Sequence, residues 1–446
     1  MPESAMYKVI ISNGVFRFHL VTAAVEAVRR GTLALFLTGA YPKGWLAKVL
    51  ERKIGLASPG MLRFMDRANP ELEERQVRPL WIPEILIQGG VASVRVLRLH
   101  RANEWLQGVG LWTYGWLACR SIKRSDADIY HYRAGYGGRS VLLAKSRGML
   151  CLCDHSVVSP LVFDFMVHNQ GRIPGREAIA GTRLSPAWKQ VLADIEAADH
   201  ILANSELVKT TLACHQIGRE RVSVIYQGLD DKFAEGVPSG PHTEPRARNH
   251  ILFAGEVSRR KGFDFVIQAL EAIPQSDWVL TVAGGIDEVT AKEYEPFLKR
   301  GNVRQVGFVS RQILAVLMEK TQIFIFPSLA EGSARVVFEA LACGCYVITT
   351  PNAGSVVEDG RHGAVVPPGN TEALRAAIAS ALRNPELVSE MGMRNRDFVR
   401  LHYSQSAYGD QLDALYRGLL TNRGPSAVRR GEKAAPHHHP LSSDRV

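Results

Sequence analysis

The chain has 446 residues, 46% of them hydrophobic and 22% charged, a length too great for one core of ordinary size and suited to two domains of about 200 residues each. Its net charge of +10 is unevenly spread: residues 1–150 carry 22 Lys and Arg against 11 Asp and Glu, leaving the remainder at −1. No apolar run approaches the roughly 20 residues of a membrane-spanning helix, and residues 1–8 lack the basic start of a signal peptide, so a cytoplasmic protein is expected.

Strand and helix patterns alternate along the chain, which predicts parallel sheets with crossover helices. Residues 7–12 read as the first strand, Asn13-Gly14 as its exit and residues 20–30 as a helix. Residues 41–124 form a helical, Arg- and Trp-rich region whose elements do not separate by pattern. Strands follow at 128–132, 149–155, 200–204 and 222–226, with a helix at 139–146. A Pro- and Gly-rich segment, 236–249, reads as a hinge between a first domain at 1–235 and a second at 250–402. In the second, strands are expected at 251–255, 279–283 and 323–326, and Phe263, Val266, Ile267 and Leu270 recur at helical spacing. A last helix is expected at 403–420, and residues 421–446, with His437-His438-His439, lack any core pattern and read as a disordered tail. The six cysteines read as small core residues of a protein in a reducing compartment.

The most informative segment runs from the apolar strand at 323–326 through Pro327-Ser328 and Glu331-Gly332-Ser333-Ala334-Arg335 into a helix that carries Glu339. Such a turn aims the first N–H groups of a helix into a cleft, where anions bind. Two carboxylates, one on the turn and one about two turns along the helix, suit a ligand with hydroxyls at one or both ends. A nucleotide-sugar has that chemistry.

The Glu-x7-Glu block, the following Ala340-Leu-Ala-Cys-Gly-Cys-Tyr-Val-Ile-Thr-Thr-Pro351 and the upstream Gly255-Glu256-Val-Ser-Arg-Arg260-Lys261-Gly262 resemble the donor half of family 4 glycosyltransferases of GT-B fold. The resemblance covers roughly residues 200–420 and implies two Rossmann-like domains facing each other across a cleft, with the last helix crossing back to the first. It implies Glu331 beside the donor sugar, Glu339 on the nucleotide ribose and Lys261 on the diphosphate, with Arg260, Gly255 and the Gly332, Ser333, Ala334 and Arg335 turn completing the donor site. Two positions depart from the pattern. Glu256 stands where the family usually has an arginine, and Ser333 where an aromatic is frequent, so the second cation is expected from Arg259 or Arg260.

Ligands of open α/β sheets bind beyond the carboxyl ends of the strands, which draws Asn13, Gly14, His131, Arg133, Gly135, Asp154 and His155 toward the cleft, with Asn13, Gly14 and Arg133 as acceptor-side candidates and His155, with Glu331, as a catalytic candidate. His155 resembles the family histidine that faces donor sugar and acceptor. Arg17 and His19 follow the first turn and could touch an acceptor, whereas His131 reads as packed and Asp126-Ala-Asp128 as structural. Arg95, Arg98 and Arg101 with Trp105, Trp112 and Trp116 read either as a membrane-surface patch or, more simply, as solvated arginines beside core tryptophans.

The expected function is retaining transfer of a sugar from a nucleoside-diphosphate sugar to a glycan or lipid-linked acceptor in bacterial polysaccharide or lipid-linked glycan synthesis. No metal and no cofactor are required in that reading. The alternatives are a nucleotide-sugar epimerase of the same fold and a non-catalytic nucleotide-sugar-binding protein. The basic first domain points to an anionic acceptor or an anionic membrane surface. Nucleic acid is not expected as a partner, because the basic residues lack the aromatic interleaving and motifs of nucleic-acid-binding modules.

Overall fold

The computed structural model describes residues 7–16, 19–42, 64–65, 67–97, 100–237 and 246–423. The expectations for residues 1–6, Arg17, Arg98 and the tail from 424 lie outside the described residues. Two wholly parallel sheets organise the chain. The first has seven strands in the order β3-β2-β1-β4-β5-β6-β7: β1 Val9–Ser12, β2 Leu33–Thr38, β3 Val77–Pro79, β4 Ile129–Arg133, β5 Leu150–His155, β6 His200–Ala203 and β7 Val222–Val224. The second has six in the order β10-β9-β8-β11-β12-β13: β8 Ala247–Ala254, β9 Val279–Ala283, β10 Val303–Gly307, β11 Thr321–Phe326, β12 Tyr346–Thr349 and β13 Gly363–Val365.

Central strands are covered on both faces by helices, which is why they read as unbroken apolar runs rather than alternating ones. All four residues of β1 and all six of β11 are buried. The order of each sheet reverses beside its first strand, β1 or β8, and a crevice opens beyond the strand ends at such a point. Each helix that follows a strand then needs one apolar stripe. In Phe263–Glu271 that stripe is Phe263, Phe265, Val266, Ala269 and Leu270, and Ile267 packs partly buried against the same core. Cys151, Cys153, Cys343 and Cys345 are free thiols buried in these cores.

The expected hinge ends earlier than its composition indicates. Strand β8 begins at Ala247 because Arg246 donates to the carbonyls of Met318, Glu319, Cys343 and Gly344 and pins the strand entry. Residues 238–245 of that segment lie outside the described residues. The final helix, Gln405–Asn422, is capped by Ser404 and extends past 420. It lays Tyr408, Leu412 and Tyr416 on Tyr7 and on Val9 and Ile11 of β1, so the two halves form a GT-B architecture with a C-terminal crossover. The region 41–124 holds a helical hairpin, Trp81–Leu97 and His100–Ile122, whose two arms pack on each other. No described helix is long and apolar enough to cross a membrane.

Candidate active site

A cavity of about 800 Å³ opens beyond the carboxyl ends of β8, β9 and β11. That volume lies within the range of small-molecule and cofactor sites. Close backbone approach makes the room: Gly255 has φ +138°, and a side chain on Gly284 would meet the Gly255 carbonyl at 1.8 Å. Glu331 and Glu339 both line the cavity, with Gly255, Glu256, Lys261, Ser333, Ala334 and Arg335.

The two carboxylates are held by cations. Glu331 accepts from both Arg260 and Lys261, and the Lys261 ammonium lies 4.8 Å from the centre of the Phe326 ring. Burial pushes the Lys261 ammonium down, with Glu331 opposing that shift. Gly262, at φ +75°, permits this turn, because a side chain there would meet the Pro327 carbonyl at 2.1 Å. Glu256 stays two-thirds exposed, with Arg260 3.5 Å away. Arg260 thus lies between Glu256 and Glu331 and pairs with both.

Glu339 is buried, and Arg311 donates to its Oε1 through two N–H groups. Arg311 also donates to Asp230 at 2.6 Å, and Arg335 bonds the same Asp230. Burial opposes ionisation of Asp230, but Arg311 and Arg335 outweigh it and hold the carboxyl below the usual carboxylate range. Asp230 belongs to the segment that leaves the first sheet, so this cluster ties Glu339 to the junction of the two halves. The Ala334 N–H, expected to face an anion, instead donates to the Ala353 carbonyl at 2.9 Å. The turn is closed on its own domain at that N–H.

Across the cleft, a second cavity of about 310 Å³ lies at the ends of β4 and β5. Arg133, Asp154 and His155 form its polar side, and Ile87, Leu111, Trp188 and Val191 are among its apolar walls. His155 is buried, its ring 6.1 Å from that of Trp188; burial and then Arg133 push it down to about 4, so it is a neutral imidazole at neutral pH. His19 bonds Asp154 at 2.7 Å and His131 lies 3.8 Å from it; despite burial, the two histidines keep the Asp154 carboxyl well below its ordinary value. The loop after β4 is fixed by Asp194, which accepts N–H bonds from Gly135, Gly137 and Gly138 at 2.7–2.8 Å.

The structure gathers Glu331, Glu339, Lys261, Ser333, Ala334, Arg335 and Gly255 at one cavity and His155 and Arg133 at the other; Arg260 reaches the first only through its bond to Glu331, and Gly332 does not line it. Ser156, next to His155, faces Gly332, next to Glu331: a side chain on Gly332 would meet the Ser156 carbonyl at 2.4 Å. Asn13 and Gly14 do not line either cavity. The Asn13 amide turns back to the Phe16 carbonyl, and Gly14 is covered by the Tyr136 ring. His131 is packed, bonding Tyr416 at 2.6 Å, and Asp126 pairs with Lys8. Arg311, Asp230, Asp194 and Trp188 are not legible as site residues in the sequence. One signal was available for Arg311: like Arg335, it opens a helix, where the macrodipole disfavours a cation unless an anion is near.

The family model for glycosyl transferases group 1 matches residues 239–398, and that for glycosyltransferase family 4 matches residues 66–233. The chain belongs to the family 4 glycosyltransferases of GT-B fold. It is 26% identical over 218 residues to the alpha-D-kanosaminyltransferase of Streptomyces kanamyceticus, covering 46% of this chain and 56% of that protein. It is 25% identical over 268 residues to the alpha-maltose-1-phosphate synthase of Mycolicibacterium smegmatis, covering 54% and 68% respectively. The matched stretch thus spans 56% of the first of these relatives. Among solved structures, a glycosyltransferase from Rickettsia africae superposes with a TM-score of 0.61 at 17% identity, covering 94% of this chain and all of that one. The Anabaena protein HepE in complex with UDP gives 0.58 at 16% identity, covering 92% of this chain and all of its own.

Proposed function

We propose that this protein is a retaining glycosyltransferase that moves a sugar from a nucleoside-diphosphate sugar to an acceptor hydroxyl, in polysaccharide or lipid-linked glycan synthesis at the cytoplasmic face of a membrane. The observation that carries the reading is the pairing of Glu331 with Lys261 and Arg260 at one end of a cavity and of Glu339 with Arg311 at the other. Glu339 takes the ribose hydroxyls on the carboxylate oxygen that Arg311 leaves open. Lys261 and Arg260 take the diphosphate, whose negative charge grows as the glycosidic bond breaks; cations fixed where charge develops supply the largest expected share of the rate. No metal is needed for that charge in this reading. The diphosphate replaces Glu331 as partner of the two cations, which frees the Glu331 carboxylate to orient the sugar and offset its oxocarbenium character. Neutral His155 holds a sugar or acceptor hydroxyl from across the cleft, and the acceptor attacks on the face the diphosphate leaves. The two halves meet at Ser156 and Gly332, which excludes water from the reacting centre.

Calorimetric titration with UDP-, GDP-, ADP- and dTDP-linked sugars tests the donor site. One nucleotide is expected to bind selectively and to lose that binding in Glu339→Ala. A protein that binds none of them would refute the assignment.

A further inference from the structure

The helical hairpin leaves several large apolar side chains half or more exposed. Trp105, Trp112 and Trp116 of His100–Ile122 are 66%, 56% and 51% exposed. Their spacing of seven and four places them on one side of the helix, in a row about 16 Å long. The simpler expectation of core tryptophans is therefore overturned. Arg101, four residues before the row, and Arg120, four after it, are exposed and bracket it. On the other arm, Ile82 and Ile85 are 56% and 64% exposed. Indoles flanked by arginines on the outside of a helix match the interfacial zone of a bilayer, where the ring sits at headgroup level and the guanidinium meets lipid phosphate.

The same two helices wall the acceptor-side cavity. Ile87 and Val91 of the first arm and Gln107 and Leu111 of the second line it, and Val91, also 41% exposed, carries that lining outward to the surface. The polar end, Arg133, Asp154 and His155, lies where the proposed acceptor hydroxyl reacts.

We propose that the hairpin docks on an anionic lipid bilayer, and that the acceptor is an amphiphile drawn from it, with its head at His155 and its apolar chain along Ile87, Val91 and Leu111. The excess charge of +11 in residues 1–150 complements such a surface. The acceptor half of this proposal rests on the transferase reading; the docking half does not.

The test uses the full chain with vesicles of phosphatidylcholine alone or mixed with phosphatidylglycerol, followed by sedimentation and tryptophan emission. Two variants accompany it: Trp105→Ser/Trp112→Ser/Trp116→Ser, and Arg101→Glu/Arg120→Glu. All five positions are exposed and outside both cavities, so each variant should keep the donor binding of the parent chain. The parent is expected to sediment with phosphatidylglycerol vesicles with a blue-shifted emission, and each variant to bind about tenfold more weakly or worse. A parent chain that stays in the supernatant at low salt would overturn the docking, as would a tryptophan variant that binds like the parent. A parent dimer in sedimentation velocity that the tryptophan variant abolishes would assign the face to a second copy and also overturn it. Vesicle binding without donor binding sinks the transferase reading and the acceptor half with it, and leaves the docking; donor binding without vesicle binding sinks this proposal and leaves the transferase reading.

Discussion

Gly332→Ala would separate binding from chemistry. Gly332 has no positive φ, so alanine fits its own backbone, but the new Cβ would lie 2.4 Å from the Ser156 carbonyl of the opposite half. Ordinary contact begins at 3.4 Å, and both atoms belong to rigid backbone, so the two halves must part locally by about 1 Å. The bond from Ser205 Oγ of the first half to the Gly332 carbonyl, and the approach of Gly354 of the second half to that same carbonyl, hold the turn from both sides and leave it little room to yield. A misplacement of about 1 Å at a reacting centre costs on the order of 100-fold in rate, equivalent to about 2.7 kcal/mol. The residues that line the larger cavity all belong to the second half, so nucleoside-diphosphate affinity should change by less than about threefold (under about 0.7 kcal/mol). Steady-state transfer assays give kcat and calorimetry gives Kd. A kcat within about threefold of the parent would show that the Ser156–Gly332 contact is not part of the reacting arrangement. A parallel loss of affinity would show that the strain had gone into the donor turn instead.

Arg311→Ala removes the fork that holds Glu339, and nucleotide affinity should fall by about tenfold, with Arg311→Lys recovering part because one ammonium cannot make both bonds; equal affinities in calorimetry would count against the positioning role. His155 supplies a pH signature. Its pKa is depressed from 6.5 to about 4, so the unfolded chain binds the extra proton between those values; the stability gained by keeping it neutral is full above pH 6.5 and lost as pH falls toward 4. The gap corresponds to about 3 kcal/mol, to be read as the difference in urea unfolding free energy between the parent and His155→Asn across that range. Identical pH profiles would contradict a neutral buried imidazole.

Much of this molecule is written locally. Strands such as Thr321–Phe326 are buried throughout and read directly from their apolar runs, and the Glu331-to-Glu339 spacing places both carboxylates because strand, turn and helix are contiguous. Arg311 and Asp230 are different. They are 81 residues apart and meet only because the junction after β7 is folded against the start of the Arg311–Glu319 helix. The Ala334 N–H was misjudged for a similar reason: its acceptor, Ala353, arrives from the loop after β12. The hairpin was opaque because its apolar residues face three ways, toward the partner arm, toward a cavity and outward, so no single period describes it.

The crossover helix has a consequence for how the chain is made. Tyr7 OH bonds Asp413, 406 positions later, and Tyr408, Leu412 and Tyr416 complete the core around β1. A ribosome delivers the seven-stranded half first, yet that half cannot close until nearly everything else has emerged. The nascent first half must wait with an uncovered apolar strip beside Tyr7, Val9 and Ile11, a surface of the kind that chaperones shield.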